Sequence, residues 1–240
     1  NFAVAKAENS VILLEDNYYT QLKLYPIYSP STHYMDIVFV DIDGNTLGSK
    51  ENFIKIENDF SHYLTIDFHH LIKELQISPS IVKGAILNKH FSDKNKIPTR
   101  LKYGLNVGKY NEKYDIPTNI CFASSVSNKN ILSKPGTFKW MPILNHNKST
   151  MIIQNSSFIK NYSRSAKIEI HIYSCNNDET IIKEFNIPAN GQVRINNDEE
   201  IKNHLKNKSG WITVKSDNPF VQAWYLEDCC NGIIGGDHSF

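Results

Sequence analysis

The sequence predicts an all-β protein: two tandem β-sandwich modules related by an internal repeat, each with a short helical patch. Three observations predict this. Apolar and polar residues alternate with a period of two over many short runs, the pattern of half-buried strands. Turn signals interrupt these runs at intervals of roughly 8–12 residues, as in sandwiches and barrels. The order of features in residues 143–240 also repeats the order in residues 1–133. Between the two copies, residues 134–142 hold Pro135, Gly136 and Pro142 and read as a linker.

The repeat can be followed element by element. Ser10–Glu15 and Ser149–Gln154 each open a copy with an apolar strand. Asp36–Asn45 matches Lys167–Asn176, both alternating strands that run into a polar turn. Phe53–Ile56 followed by Tyr63–Ile66 matches Glu184–Ile187 followed by Gln192–Ile195, with Pro188-Ala-Asn-Gly191 as the turn in the second copy. Helical patches follow at Asp67–Leu75 and Asn197–Leu205, the latter with Asp198, Glu199 and Glu200 where a helix N-terminus favours negative charge. Ile81–Leu87 then matches Trp211–Lys215, Pro98–Tyr103 matches Pro219–Trp224, and Ile120–Phe122 matches His238–Phe240. If Pro219–Leu226 alternates, Trp224 and Leu226 face the core and Tyr225 faces outward.

Gln154-Asn-Ser156, Ile168–Tyr173, and Asn186–Arg194 followed by Trp211–Asp217 resemble immunoglobulin-like or fibronectin-like β-sandwich modules. Such modules occur in tandem on bacterial secreted and surface proteins. The resemblance covers most of the second half and, more loosely, the first. It implies an extracellular or cell-envelope binding role by analogy, since fold alone does not assign function.

Composition narrows the classes. The 240 residues are 40% hydrophobic and 11% aromatic, enough to build a core. The formal net charge is +1 and the lysines and arginines are scattered, so nothing marks a nucleic-acid binder. No apolar run approaches the ~18–20 residues of a membrane helix. Asn1–Glu8 contains an Ala-x-Ala pattern without an apolar region before it and reads as a plain chain boundary. Cys121, Cys175, Cys229 and Cys230 fit neither zinc spacing nor a disulfide framework and read as free, partly buried thiols.

Ile37–Leu47 looks like the nucleophile loop of haloacid dehalogenase-type phosphatases, where an apolar strand leads into Asp-x-Asp-Gly-Thr-Leu. Here Asn45 separates Gly44 from Thr46, and the matching stretch of the second copy lacks the acids. Asp-Gly-Asn is also an ordinary hairpin turn, and that reading is preferred. The adjacent His69 and His70 point in different directions and do not chelate together, and no H-x-H or H-E-x-x-H spacing supports zinc. Tyr18, Tyr19, Tyr25, Tyr28 and Tyr34 form either an aromatic surface or ordinary strand positions.

Residues present in one copy alone are the better candidates for function. The second copy departs from the first at Cys229–Phe240, and the end segment that contains it, Trp224–Phe240, supplies the candidate ligand-binding residues Tyr225, Glu227, Asp228, Asp237 and His238. The expected role is a non-enzymatic binding or assembly module, extracellular or in the cell envelope, without a cofactor. Its expected partner is a glycan or a protein, with homo-oligomerisation possible. One alternative is a metal-dependent enzyme whose junction site uses His238, Asp237 and His69 or His70. Another is a viral or phage structural protein.

Overall fold

The computed structural model describes residues 5–6, 9–28, 32–57, 59–60, 63–93, 101–124, 133–145, 148–157, 159, 161–175, 177–206 and 208–239. The first half forms β1 (Ala5–Lys6), β2 (Asn9–Val11), β3 (Tyr18–Leu24), β4 (Ile27–Tyr28), β5 (His33–Val40), β6 (Thr46–Ile56), β7 (Asp59–Phe60), β8 (Leu64–Asp67), helix α1 (Phe68–Glu74), a 3₁₀ turn (Pro79–Ile81), β9 (Gly84–Phe91), β10 (Leu101–Lys109) and β11 (Thr118–Ser124). The second half forms β12 (Thr137–Ile143), β13 (Lys148–Asn155), β14 (Ala166–Ser174), β15 (Asn177–Ile187), β16 (Gln192–Asn196), helix α2 (Glu199–Leu205), β17 (Gly210–Ser216), β18 (Val221–Asp228) and β19 (Ile234–His238).

The fold is all-β, and its two halves share one topology. The first has sheets ordered β2-β9-β5-β6, with β1 also on β9, and β8-β3-β10-β11. The second has sheets ordered β12-β17-β14-β15 and β16-β13-β18-β19. Strand answers to strand: β2 to β12, β3 to β13, β5 to β14, β6 to β15, β8 to β16, β9 to β17, β10 to β18 and β11 to β19, with α1 answering to α2. A two-stranded ribbon, β4–β7, is an addition to the first copy. The first strand of the second sandwich pairs with its sixth, β12 with β17. In the constant-type immunoglobulin arrangement the first strand pairs instead with the second.

Two expectations are corrected by this topology. Thr137–Pro142 lies within the residues read as a linker, yet with Ile143 it forms β12, paired along β17 from Thr137↔Ser216 to Ile143↔Gly210. An edge strand tolerates Pro142, because one side of its backbone has no ladder partner. The copies are consequently offset at their start. Lys148–Asn155 answers to Tyr18–Leu24 and not to Ser10–Glu15, whose first residues belong to β2, the counterpart of β12.

Each sandwich closes around alternating inward positions. Met35, Ile37 and Phe39 of β5 enter one core, and Ile168, Ile170 and Ile172 of β14 enter the other, all nearly inaccessible to solvent. Both helices begin on a capping aspartate. Asp67 accepts from the His69 N–H, and Asp198 accepts from the Ile201 N–H. At one end of the second sandwich, Asn155, Tyr162 and Asn218 form a buried network that satisfies the carbonyls of Arg164, Ile187, Pro188 and Ser165.

A third apolar cluster belongs to neither sandwich. Val11, Leu13, Tyr18, Val107 and Ile120 from the first pack with Ile152, Trp224, Leu226 and Ile234 from the second. The β16-β13-β18-β19 sheet is therefore apolar on both faces. Its inner face supplies Met151, Ile153, Val221 and Ala223 to its own core. Trp224 is buried, as expected, but in this cluster. Tyr225, expected to face outward, is half-buried against the second sandwich core. Removing the indole in Trp224→Ala leaves a cavity between the sandwiches, with an expected cost of about 3–5 kcal/mol. Urea denaturation followed by circular dichroism reads that loss as a lower midpoint.

Candidate functional site

The polar contacts of the junction surround this apolar cluster. Arg194 leaves β16 and donates to Glu15 Oε1 (3.0 Å) and to the carbonyls of Ile12 (2.6 Å) and Lys83 (3.2 Å) in the first half. Glu15 is also paired with Lys83 at 2.6 Å. Burial pushes the Arg194 guanidinium down to about 10 while Glu15 opposes the shift, so it stays charged at neutral pH. Beside it lies a cavity of about 140 Å³ lined by Leu13, Asp16, Tyr18, Lys148, Arg194 and Asp228 among others. Its charges are matched within the protein: Lys148 with Asp16 at 3.4 Å, and Lys109 with Asp228 at 2.7 Å.

The phosphatase-like stretch is a turn in this junction. Asp41 Oδ1 accepts from the backbone N–H of Asp43 and of Asn45, both at 2.9 Å, and Asp41 Oδ2 accepts from Asn45 Nδ2. The Ile42 carbonyl accepts from the Gln192 N–H of the second half at 2.9 Å. Gly44 has φ +84, and a Cβ there would sit 2.3 Å from the Ala189 carbonyl oxygen, so both its conformation and its neighbour require glycine. On the other side, the chain before β11 runs along the β18–β19 hairpin. Ile116 and Ile233 form a parallel bridge, and Thr118 Oγ1 donates to the Gly236 carbonyl. Gly232, φ +85, lies so close to the Tyr114 carbonyl that a Cβ would fall 1.8 Å from it.

The residues singled out by sequence occupy different places. Asp228 is a junction residue, accepting from Tyr18 Oη at 2.8 Å and from Lys109. Burial pushes its carboxyl up, but Lys109, Tyr18 and the Cys230 N–H outweigh this and hold it below the usual carboxylate range. Its neighbour Glu227 projects to the opposite face, where Ser149 Oγ lies 2.6–2.7 Å from its carboxylate oxygens. Burial raises the Glu227 carboxyl to about 7, partly offset by Ser149 and a backbone hydrogen bond at Leu144. Tyr225 stands opposite Asp237 across the β18–β19 ladder, and Trp224 stands opposite His238. Asp237 and His238 bond to each other at 2.7 Å. Thus Tyr225 and Asp237 are neighbours, while Glu227 and Asp228 are directed apart.

Among the described residues, no three or more His, Cys, Asp or Glu side chains are placed to hold a metal. His69 lies against the Tyr110 ring, His70 is exposed on α1, and His62 falls outside the described residues. Cys175, Cys229 and Cys230 are in no disulfide among the described residues and are exposed, where partly buried thiols were expected. Tyr18 and Tyr19 are buried, so the N-terminal tyrosines do not form one exposed surface.

The surface that sequence reasoning missed is the outer face of the β12-β17-β14-β15 sheet. Its register sets side chains in rows across the four strands. One row is Trp140, Thr213, His171 and Ile182, and the next is Pro142, Trp211, Tyr173 and Thr180. Phe138, two residues before Trp140, is 58% exposed; Trp140 is 48% and Trp211 42% exposed. Tyr173 and Trp211 stack at 5.3 Å with their rings 14° apart. The equivalent face of the first sandwich carries Tyr34, Asp36 and Val38 on β5 with Ile86, Asn88 and His90 on β9, where one phenol ring stands among aliphatic and polar groups. Two signals were available in the sequence: the Phe138-x-Trp140 alternation inside the presumed linker, and Trp211 alternating with the buried Ile212 and Val214.

No family model matches the chain, and no curated protein matches it. Among solved structures, a lectin of Pleurotus ostreatus aligns over 98% of this chain and 76% of its own, at 7% identity and a TM-score of 0.24. A glycosyl hydrolase family 2 member from Bacteroides cellulosilyticus aligns over 96% of this chain and 27% of its own, at 10% identity and a TM-score of 0.18. Similarity at this level transfers neither fold nor function, so the functional argument rests on this chain's own residues.

Two outcomes follow from the electrostatics. Arg194→Met removes one donor from the Glu15 carboxylate and from the carbonyls of Ile12 and Lys83, of which Lys83 keeps Gln192 Nε2 at 2.7 Å, at an expected cost of about 2 kcal/mol, read by equilibrium denaturation. Glu227 holds its proton in the folded state up to about pH 7, but gives it up near its ordinary value of 4.5 when unfolded. The folded chain therefore loses stability as pH rises from about 4.5 to 7. Glu227→Gln is expected to match the native chain near pH 4 and to exceed it at pH 8 by on the order of 2 kcal/mol, measured as thermal midpoints at the two pH values.

Proposed function

We propose that the second sandwich is a non-enzymatic module that binds glycan chains on the outer face of β12-β17-β14-β15. The observation that carries this reading is the exposed set Phe138, Trp140 and Trp211, with the half-buried Tyr173 stacked on Trp211, on an open sheet face. Soluble chains rarely leave aromatic groups clustered in water without a partner for them. A flat indole or phenol ring covers the apolar face of a sugar while its polar edge stays solvated. Polar side chains stand among and beside these rings: Glu169, His171 and Lys215 lie on the same face and offer hydrogen bonds to hydroxyls.

Size favours a glycan over a protein. Four strands about 4.8 Å apart and three side-chain rows about 6.8 Å apart span roughly 14 by 14 Å. That patch of roughly 200 Å² is well short of the ~800 Å² per partner of a stable protein interface. An extracellular or cell-envelope setting, which the sequence resemblance implies, suits such a role.

Binding to insoluble polysaccharides by pull-down, followed by calorimetry with soluble fragments, tests the proposal. Trp140→Ala and Trp211→Ala are each expected to weaken binding about tenfold, with little change in thermal midpoint because both side chains are solvent-facing. A native chain that binds no polysaccharide, or tryptophan variants that bind as the native chain does, would refute it. A self-associating native chain whose association Trp211→Ala abolishes would replace a glycan with a second copy.

A further inference from the structure

The aromatic rows end beside a hollow of about 590 Å³ on the same sheet, lined by Lys167, Glu169, Glu184, Asn186, Lys215 and Asp217 among others. The register makes the two regions continuous. Phe138 stands opposite Lys215, Lys215 opposite Glu169, and Glu169 opposite Glu184, so one row of side chains joins the aromatic edge to the hollow. The next row sets Lys167 opposite Asn186, with the Asp217 carboxylate bonded to the Lys167 N–H at 3.0 Å. From the Trp211–Tyr173 row to the Lys167–Asn186 row is three steps along the strands, roughly 20 Å.

We infer that this hollow is a second subsite of the same surface, and that it selects an uncharged, hydroxyl-rich chain long enough to reach it from Trp211. The inference rests on the glycan reading above. Charge supplies the argument. Two lysines face three carboxylates, and Lys215 is already matched, its ammonium 3.3 Å from Glu169. Glu169 is bonded in addition to His171 Nε2 at 2.6 Å. No cluster of basic groups is left over for a carboxylate or sulfate on the ligand. What the hollow offers is acceptors: the carboxylates of Glu184 and Asp217 and the amide of Asn186, which also donates. Carboxylates and amides of this kind bond readily to neighbouring sugar hydroxyls, and the carboxylates repel uronic acids. Stacking at one end therefore supplies affinity for any exposed sugar face, and the polar end supplies discrimination by charge and length.

Calorimetry on the full chain, with neutral glucose, mannose and xylose oligomers of two and six units and a galacturonate hexamer, separates the parts. The best neutral hexamer is expected to bind about tenfold tighter than its dimer, and the galacturonate hexamer at least tenfold more weakly at low ionic strength. The double variant Glu184→Ala/Asn186→Ala alters two exposed side chains. It is expected to lose the hexamer's advantage while leaving dimer binding unchanged. Equal affinity for dimer and hexamer, unchanged hexamer binding in the double variant, or tighter binding of the galacturonate hexamer would each overturn the subsite. If Trp211→Ala still weakens binding about tenfold in those cases, the glycan-binding face stands without it. If the native chain binds none of the oligomers or polysaccharides, both readings fall.

Discussion

The β16-β13-β18-β19 sheet has two apolar faces and only one core of its own to fill. The first sandwich covers the other face with the β2–β3 loop and the ends of β3, β10 and β11. Much else follows from that constraint. The copies cannot be beads on a flexible string, since separating them would expose Ile152, Trp224, Leu226 and Ile234 together. The polar rim supplies partners to groups that the apolar contact draws out of water. Arg194 does so for the carbonyls of Ile12 and Lys83, and Asp228 does so for Tyr18 and Lys109. With that sheet spent on the junction, the other sheet of the second sandwich is the one whose outer face stays open, and the aromatic residues are there.

Much of the architecture was legible in the sequence because period-two alternation and turn residues act locally. The strands, both helical patches and the repeated order of features could be read from residues a few positions apart. The linker could not. Pro135, Gly136 and Pro142 carry a strong breaking signal, yet β12 is an edge strand, where a proline costs little. That misreading displaced the start of the repeat as well, pairing Ser10–Glu15 with a strand whose true counterpart begins at Tyr18. The candidate site was less legible still. Period two divides a strand into two faces without saying which meets solvent, and the division fails on a strand such as β18, where Trp224 and Tyr225 both find apolar neighbours. Trp140 was hidden in the residues read as a linker, and Trp211 was read only as the start of a matched strand.

Glu227 and Asp228 show how far a single residue step can change chemistry. They are adjacent carboxylates on one strand, and the pleat sends them to opposite sides of the sheet. Asp228 meets a lysine and a phenol and is held ionised. Glu227 meets a serine hydroxyl in an apolar surround and keeps its proton near neutrality. Neither behaviour follows from the local sequence Leu-Glu-Asp-Cys. Both follow from what the partner sheets place opposite, and both serve the structure without forming a shared site.

The contact between Tyr18 and Asp228 spans 210 positions of the chain. Arg194 likewise reaches back to Ile12 and Glu15. These separations bear on how the protein is made. The first sandwich leaves a ribosome with its docking end uncovered, because the sheet that covers it includes β18 and β19, which are synthesised after the whole first half. Contacts between such distant segments form slowly, since the intervening chain must be ordered first. During that interval Val11, Leu13, Val107 and Ile120 face solvent and form a surface to which other unfinished chains can adhere. The hairpin at Cys229–Ile233 thus acts late, as the closure that ends the exposure of a nascent chain.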